Sequence, residues 1–109
     1  MFADAEHRLD VLDETEVDAA VTTLRMLADQ TRLGILWALR DGELSVGDLG
    51  RQLRRPSPAV SQHLAKLRMG GLVSTRREGS QVFYRLRTTH VRQLVLDVLA
   101  HAQHLAAER

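Results

Sequence analysis

Three of the chain's five histidines stand near its C-terminus, at His90, His101 and His104. Imidazole nitrogens ligate divalent transition metals and exchange protons near neutral pH. If residues 89–104 (THVRQLVLDVLAHAQH) form a helix, the step from His90 to His101 is almost three whole turns. The two rings then share a face but stand about 16 Å apart along the axis. No single ion reaches both within one chain, whereas His101 and His104, three residues apart, are surface neighbours. The spacing has no use in a monomer. Asp97, four residues before His101, can ligate or orient that imidazole, and Gln103 offers an amide oxygen. Three imidazoles with oxygen donors and no cysteine suit nickel, zinc or cobalt rather than copper(I), cadmium or arsenite. Nickel or cobalt would complete an octahedron with water; zinc needs one further ligand. Without a metal, the same histidines read as a polar tail favoured by the helix dipole.

The second chemistry is basic. Residues 51–87 carry Arg51, Arg54, Arg55, Lys66, Arg68, Arg76, Arg77, Arg85 and Arg87 against Glu78 alone. Eight of the nine are arginines, whose planar fork grips phosphate bidentately. Residues 1–20 show the opposite balance, with seven acids against Arg8, so the overall charge of +1 conceals a sharp division. The basic stretch reads as a nucleic-acid footprint, with a solvated basic face as the alternative. Enzyme chemistry finds no support: there is no cysteine nucleophile, Ser61 lacks a carboxylate-backed histidine in sequence reach, and no glycine loop cradles phosphate. The absence of an apolar run of membrane-spanning length and of a signal segment predicts a cytoplasmic protein without membrane contact.

These groups need elements to position them. Residues 1–14 read as a mobile acidic arm, and residues 15–107 as one domain. Thr15 with Asp18 resembles a capping box ahead of Val17, Val21, Leu24 and Leu27 at helical spacing. Asp29 caps a second helix that Gly42 ends. Ser45 and Asp48 open a short third helix with Val46, Leu49 and Leu53 inward. Ser57 then caps a fourth helix with Pro58 at its first position, running to Met69 and the Gly70–Gly71 stop. Two β-prone runs flank Glu78–Gly79–Ser80 as a hairpin. Thr88 or Thr89 caps the histidine-bearing last helix. The result is a mainly α chain with a small β-hairpin, arranged as a winged helix-turn-helix.

On the fourth helix Val60, Leu64 and Leu67 form the core stripe. The opposite side presents Pro58, Gln62, Ala65 and Lys66, with Ser61 at its edge. Gln62 can pair bidentately with adenine, Ser61 can meet a phosphate or base edge, and Lys66 a phosphate. Ser57 starts this reading element. Arg54 and Arg55 before it, and Arg76 and Arg77 in the hairpin, grip the backbone; the last two alternate sides of their strand. His63 lies on the flank in a packed or solvated role.

The runs LADQTRLGILWAL, LSVGDLGRQL, SPAVSQHLAKLRMGGLV and RREGSQVFYRL together resemble the ArsR/SmtB family of winged-helix transcriptional regulators, over roughly residues 20–105. The resemblance implies a homodimer built from the first and last helices that binds a twofold-related operator, with repression as the default. It implies that many members change their grip on DNA when a metal binds. In the branch that senses nickel, cobalt or zinc on the last helix, an acid precedes three histidines at the spacing of His90, His101 and His104. Pairing the last helices antiparallel brings His90 of one chain to His101 and His104 of the other. The acid's place is taken by Thr88, a weak neutral ligand. Other readings stay open: a regulator of the same fold that senses no metal itself, one completed by a metal-sensing partner protein, and a helix-turn-helix used to bind protein. No metal is expected to be required for folding.

Overall fold

The computed structural model describes residues 12–109. Five helices and three strands follow in the order α1 (Glu14–Leu27), α2 (Gln30–Ala38), a 3-10 turn (Leu39–Asp41), β1 (Leu44–Ser45), α3 (Val46–Leu53), α4 (Ser57–Met69), β2 (Val73–Glu78), β3 (Gln81–Leu86) and α5 (Thr89–Ala107). Of the acidic arm expected over residues 1–14, residues 1–11 lie outside the described residues.

Local chemistry sets most of the boundaries. Asp29 accepts the Arg32 backbone N–H at 2.9 Å and so caps α2. Ser45 and Asp48 form a reciprocal capping box on α3, each side chain accepting the other's backbone N–H at 3.1 Å. Thr88, rather than Thr89, caps α5 by accepting from Val91 N–H at 3.2 Å. Two expected caps differ. Asp13 caps α1, accepting from Thr15 N–H at 3.3 Å, so Thr15 lies inside the first turn. At α4 the N-cap is Pro56, which offers no side-chain acceptor; Ser57 is the first helical residue and Pro58 the second. A proline there loses nothing, because its missing N–H would have had no helical partner.

The hairpin is in register from Val73↔Leu86 to Glu78↔Gln81, turning on Gly79 at φ 62°. A left-handed φ of this kind is reached by glycine without a Cβ clash. The sheet holds one strand more than the sequence suggests: β1 pairs with β3 through Leu44↔Tyr84 and Ser45↔Phe83, giving the order β1-β3-β2.

Ile35, Leu36, Leu49, Val60, Leu64, Leu67 and Val95 are fully buried, so α2, α3, α4 and the middle of α5 share one core. Gly50 lets α3 meet the turn into α4, since a Cβ there would stand 3.0 Å from the Arg55 carbonyl oxygen. The two ends of the chain behave differently. On α1 only Leu27 is buried, while Val17, Val21 and Leu24 are exposed at i, i+4, i+7 spacing. On α5 the stripe begins at half-buried Leu94 and continues through exposed Val98, His101 and Leu105. No helix among the described residues is long and apolar enough to cross a membrane.

Candidate nucleic-acid interface and metal site

Helix α4 has two chemical faces. Val60, Leu64 and Leu67 have no solvent exposure, which fixes the rotation of the helix against α2 and α3. Ser57, Pro58, Ser61, Gln62, Ala65 and Lys66 are consequently exposed together. His63 is on the flank, as its spacing suggests. Its Nδ1 lies 3.8 Å from Asp29 Oδ2 and 3.4 Å from Arg32 Nη1. The Asp29 carboxyl is held below its ordinary value, mainly by the Arg32 N–H it accepts. This cluster ties the middle of α4 to the start of α2, so the outward face rests on a rigid base.

Arg54 and Arg55 lie beside that face in the turn between α3 and α4. Neither forms a side-chain ion pair or hydrogen bond among the described residues, so both charges are available to an anion. Arg54 adopts φ 54° and ψ 50° as the left-handed C-cap of α3, a conformation unusual for a residue with a Cβ. Its N–H nonetheless closes the helix on the Gly50 carbonyl.

The two wing arginines are not equivalent. Arg76 is held by Glu43, through Nη2 at 2.9 Å, and by Glu78, through Nη1 at 2.7 Å. Arg77, on the opposite face of β2, has no such partner among the described residues. Arg68 was not singled out in sequence, although Ser61, Ala65 and Arg68 are spaced i, i+4, i+7. With Met69 and Tyr84 these three residues line a cleft of about 430 Å³ beside the reading face. Tyr84 reaches it through the fold of β3, which no local spacing reveals.

The histidines of α5 are exposed, and no three histidine or acidic side chains converge on one point among the described residues. Among the described residues of one chain, His104 Nε2 meets only Glu108, at 3.6 Å. Asp97 accepts from Gln93 Nε2 at 2.9 Å, and the Thr88 hydroxyl is engaged as the helix cap. Gln103 is exposed. His101 lies between Val98 and Leu105 on the uncovered apolar stripe, where a second α5 would bring facing donors. Imidazoles are ligands for borderline divalent ions, but within one chain these three do not converge among the described residues.

Comparison with known proteins bears on the family and the fold. Residues 29–75 match the model of the family described as bacterial regulatory protein, arsR family. The HTH-type transcriptional regulator KmtR of Mycobacterium tuberculosis is 52% identical over 104 residues, covering 95% of this chain and 78% of that protein. Among solved structures, HlyU from Vibrio cholerae superposes with a TM-score of 0.75 at 43% identity, over 83% of this chain and 97% of that one. The homodimeric winged helix-turn-helix DNA-binding domain (residues 1–100) from Mycobacterium bovis gives 0.80 at 29% identity, over 87% and 88%.

Proposed function

The chain belongs to the arsR family of bacterial regulatory proteins, as a DNA-binding transcription regulator and not an enzyme, and from that premise we propose how it works. It acts in the cytoplasm as a homodimeric repressor, placing α4 of each subunit in the major groove of a twofold-related operator. The observation that carries this reading is the division of α4, with Val60, Leu64 and Leu67 fully buried and Ser57, Ser61, Gln62 and Lys66 presented together. Gln62 reads a base, Ser61 and Lys66 fix the helix on the backbone, and Arg54, Arg55 and Arg77 supply phosphate contacts. The uncovered stripes of α1 and α5 support the dimer, because apolar residues at helical spacing on both are left without cover. Two reading heads then meet half-sites about 34 Å apart, or a multiple of that.

The dimer gives the histidines their use. His90 of one subunit and His101 and His104 of the partner subunit would hold a divalent ion, with nickel favoured over zinc and cobalt. Water, Asp97 or Gln103 would supply the remaining positions. An effector held between the two α5 helices biases the relative rotation of the two α4 helices. A coupling of about 1–3 kcal/mol changes DNA affinity roughly 5- to 150-fold. The engagement of Thr88 as a cap favours a second reading, in which the site is completed by a partner protein or senses no metal.

Fluorescence anisotropy on a labelled duplex from upstream of the chain's own gene tests both levels. Metal-free protein binds with an affinity that falls steeply with salt as counterions are released. Gln62→Ala costs about 1–3 kcal/mol and relaxes the preference at one base pair. A flat salt dependence would instead make the helix-turn-helix a protein-binding surface. Added nickel, zinc or cobalt shifts affinity tenfold or more if the site is a sensor; an unchanged affinity selects the second reading.

A further inference from the structure

Not all of the basic stretch belongs to the face presented by α4. Arg85 and Arg87, at the end of β3, line a cleft of about 530 Å³ with Arg40 and Asp41 of the 3-10 turn, Glu43, and Arg92 of α5. No residue of α3 or α4 contributes to it. Its volume lies within the range of small-molecule sites and exceeds what a single inorganic anion fills.

The charge in this cleft is unbalanced. Glu43 is occupied by Arg76 at 2.9 Å, outside the cleft. The remaining carboxylate, Asp41, is 71% exposed and stands at 3.5 Å from Arg40 and 3.6 Å from Arg92. Four guanidiniums therefore face two carboxylates, Glu43 engaged by Arg76 and Asp41 weakly held, a surplus of two positive charges.

Neutral groups hold three of the four in place. Arg40 donates from Nη1 to the Trp37 carbonyl at 2.9 Å and lies 4.0 Å over the Trp37 ring. Arg92 donates from Nε to the Arg40 carbonyl at 2.7 Å, and Arg85 from Nε to Ser74 Oγ at 3.0 Å. These contacts orient the guanidiniums without neutralising them and leave further N–H donors on each fork. Arg87 has no side-chain partner among the described residues.

We propose that this cleft is a binding site for a small organic polyanion carrying phosphate or paired carboxylates, separate from the DNA-reading face and from the α5 histidines. Arg40 and Arg92 form its fixed floor, and Arg85 and Arg87 close on the charged end of the ligand. The site spans the end of β3 and the first turn of α5, so its occupant would bridge these two elements.

Trp37 is the only tryptophan, and its contact with Arg40 makes it a local reporter. Pyrophosphate serves as the probe, titrated into the full-length protein without DNA, with sodium chloride matched for ionic strength. The expected result is a saturable change in Trp37 emission with half-saturation at or below about 1 mM. Arg85→Ala and Arg87→Ala, which do not touch Trp37, each weaken it about tenfold while leaving the apo emission and helical signal unchanged. A response no different from that of chloride, or identical in wild type and both variants, overturns the site. The DNA backbone is the competing source of phosphate. If pyrophosphate is silent while the same variants lose duplex affinity with a shallower salt dependence, the cleft belongs to DNA and the small-ligand assignment fails.

Discussion

Arg76 reaches across a whole strand to hold Glu43. Its Nε lies 3.0 and 3.1 Å from the two carboxylate oxygens, and the guanidinium passes 5.0 Å over the ring of Phe83 on the way. Phe83 is the register partner of both Arg76 and Ser45, so the side chain follows one row of the sheet from β2 over β3 to the approach to β1. The Arg76 hydrogen bond holds the Glu43 carboxyl below its ordinary range, and the Arg76 guanidinium is shifted upward, first by Glu43 and then by Glu78. The arrangement ties β2 of the wing to the approach to β1.

Arg76 and Arg77 are therefore expected to separate in a salt titration. Arg77→Ala removes one phosphate contact, weakens binding to all sequences alike and lowers the slope of log affinity against log salt by about 1. Arg76→Ala weakens binding through loss of wing geometry and leaves the slope unchanged, as does Glu43→Gln. The check is duplex anisotropy at four or five salt concentrations. A slope reduced by one in Arg76→Ala would show that Arg76 leaves Glu43 to grip DNA.

Arg54 combines a left-handed backbone with a proposed phosphate contact, and glycine at this position divides the two. Removing the Cβ relieves a left-handed conformation that costs about 1–2 kcal/mol. The added freedom of the unfolded chain takes back about 0.5–1 kcal/mol. Arg54→Gly should thus unfold at equal or slightly higher denaturant concentration than wild type while binding duplex DNA more weakly. A variant that loses stability as well would mean that the Arg54 side chain packs in the folded state.

How much of this was legible in sequence follows from the range of each interaction. The core stripe of α4, the Ser45–Asp48 capping box and the turn at Gly79 depend on neighbours a few residues away, and spacing reveals them. The α1 cap was misplaced by two residues because Asp13 and Thr15 both offer an acceptor, and local pattern does not rank them. Strand β1 has only two residues, too few to show alternation, and exists because Tyr84 and Phe83 stand opposite. The Glu43–Arg76 pair joins positions 33 apart, so charge counting along the chain does not reveal that Arg76 is already paired. The same limit hid the separation of Arg85 and Arg87 from the reading face.

The Ser45–Asp48 box also sets a pH dependence. The Asp48 carboxyl is lowered from 3.8, first by the Ser45 backbone N–H, then by the Ser45 hydroxyl and by Arg51. A depressed carboxyl favours the folded state above its unfolded value, and that contribution is lost as pH falls through the folded value. Asp48→Asn, which keeps the shape and removes the charge, should be less stable than wild type at pH 7, with the difference closing below pH 3.8. Denaturant midpoints across this range provide the check; a difference independent of pH would assign the effect to shape alone.

His101 is the most informative of the three α5 histidines, because it interrupts the uncovered stripe between Val98 and Leu105. In a dimer formed on that stripe, its imidazole faces the partner helix whether or not metal is present. His101→Ala is expected to abolish any metal effect on DNA affinity while leaving metal-free binding intact, since alanine is compatible with both the helix and an apolar interface. Thr88→Asp supplies the opposite test. One aspartate oxygen can keep the cap on Val91 N–H, which Thr88 now provides at 3.2 Å, while the second is free to ligate. Metal affinity, followed by competition with a chelator, should rise about tenfold or more in Thr88→Asp. The gain should disappear when His101→Ala is added. Equal metal responses from wild type, His101→Ala and Thr88→Asp would place any metal elsewhere on the chain and leave the histidines as the polar edge of the dimer contact.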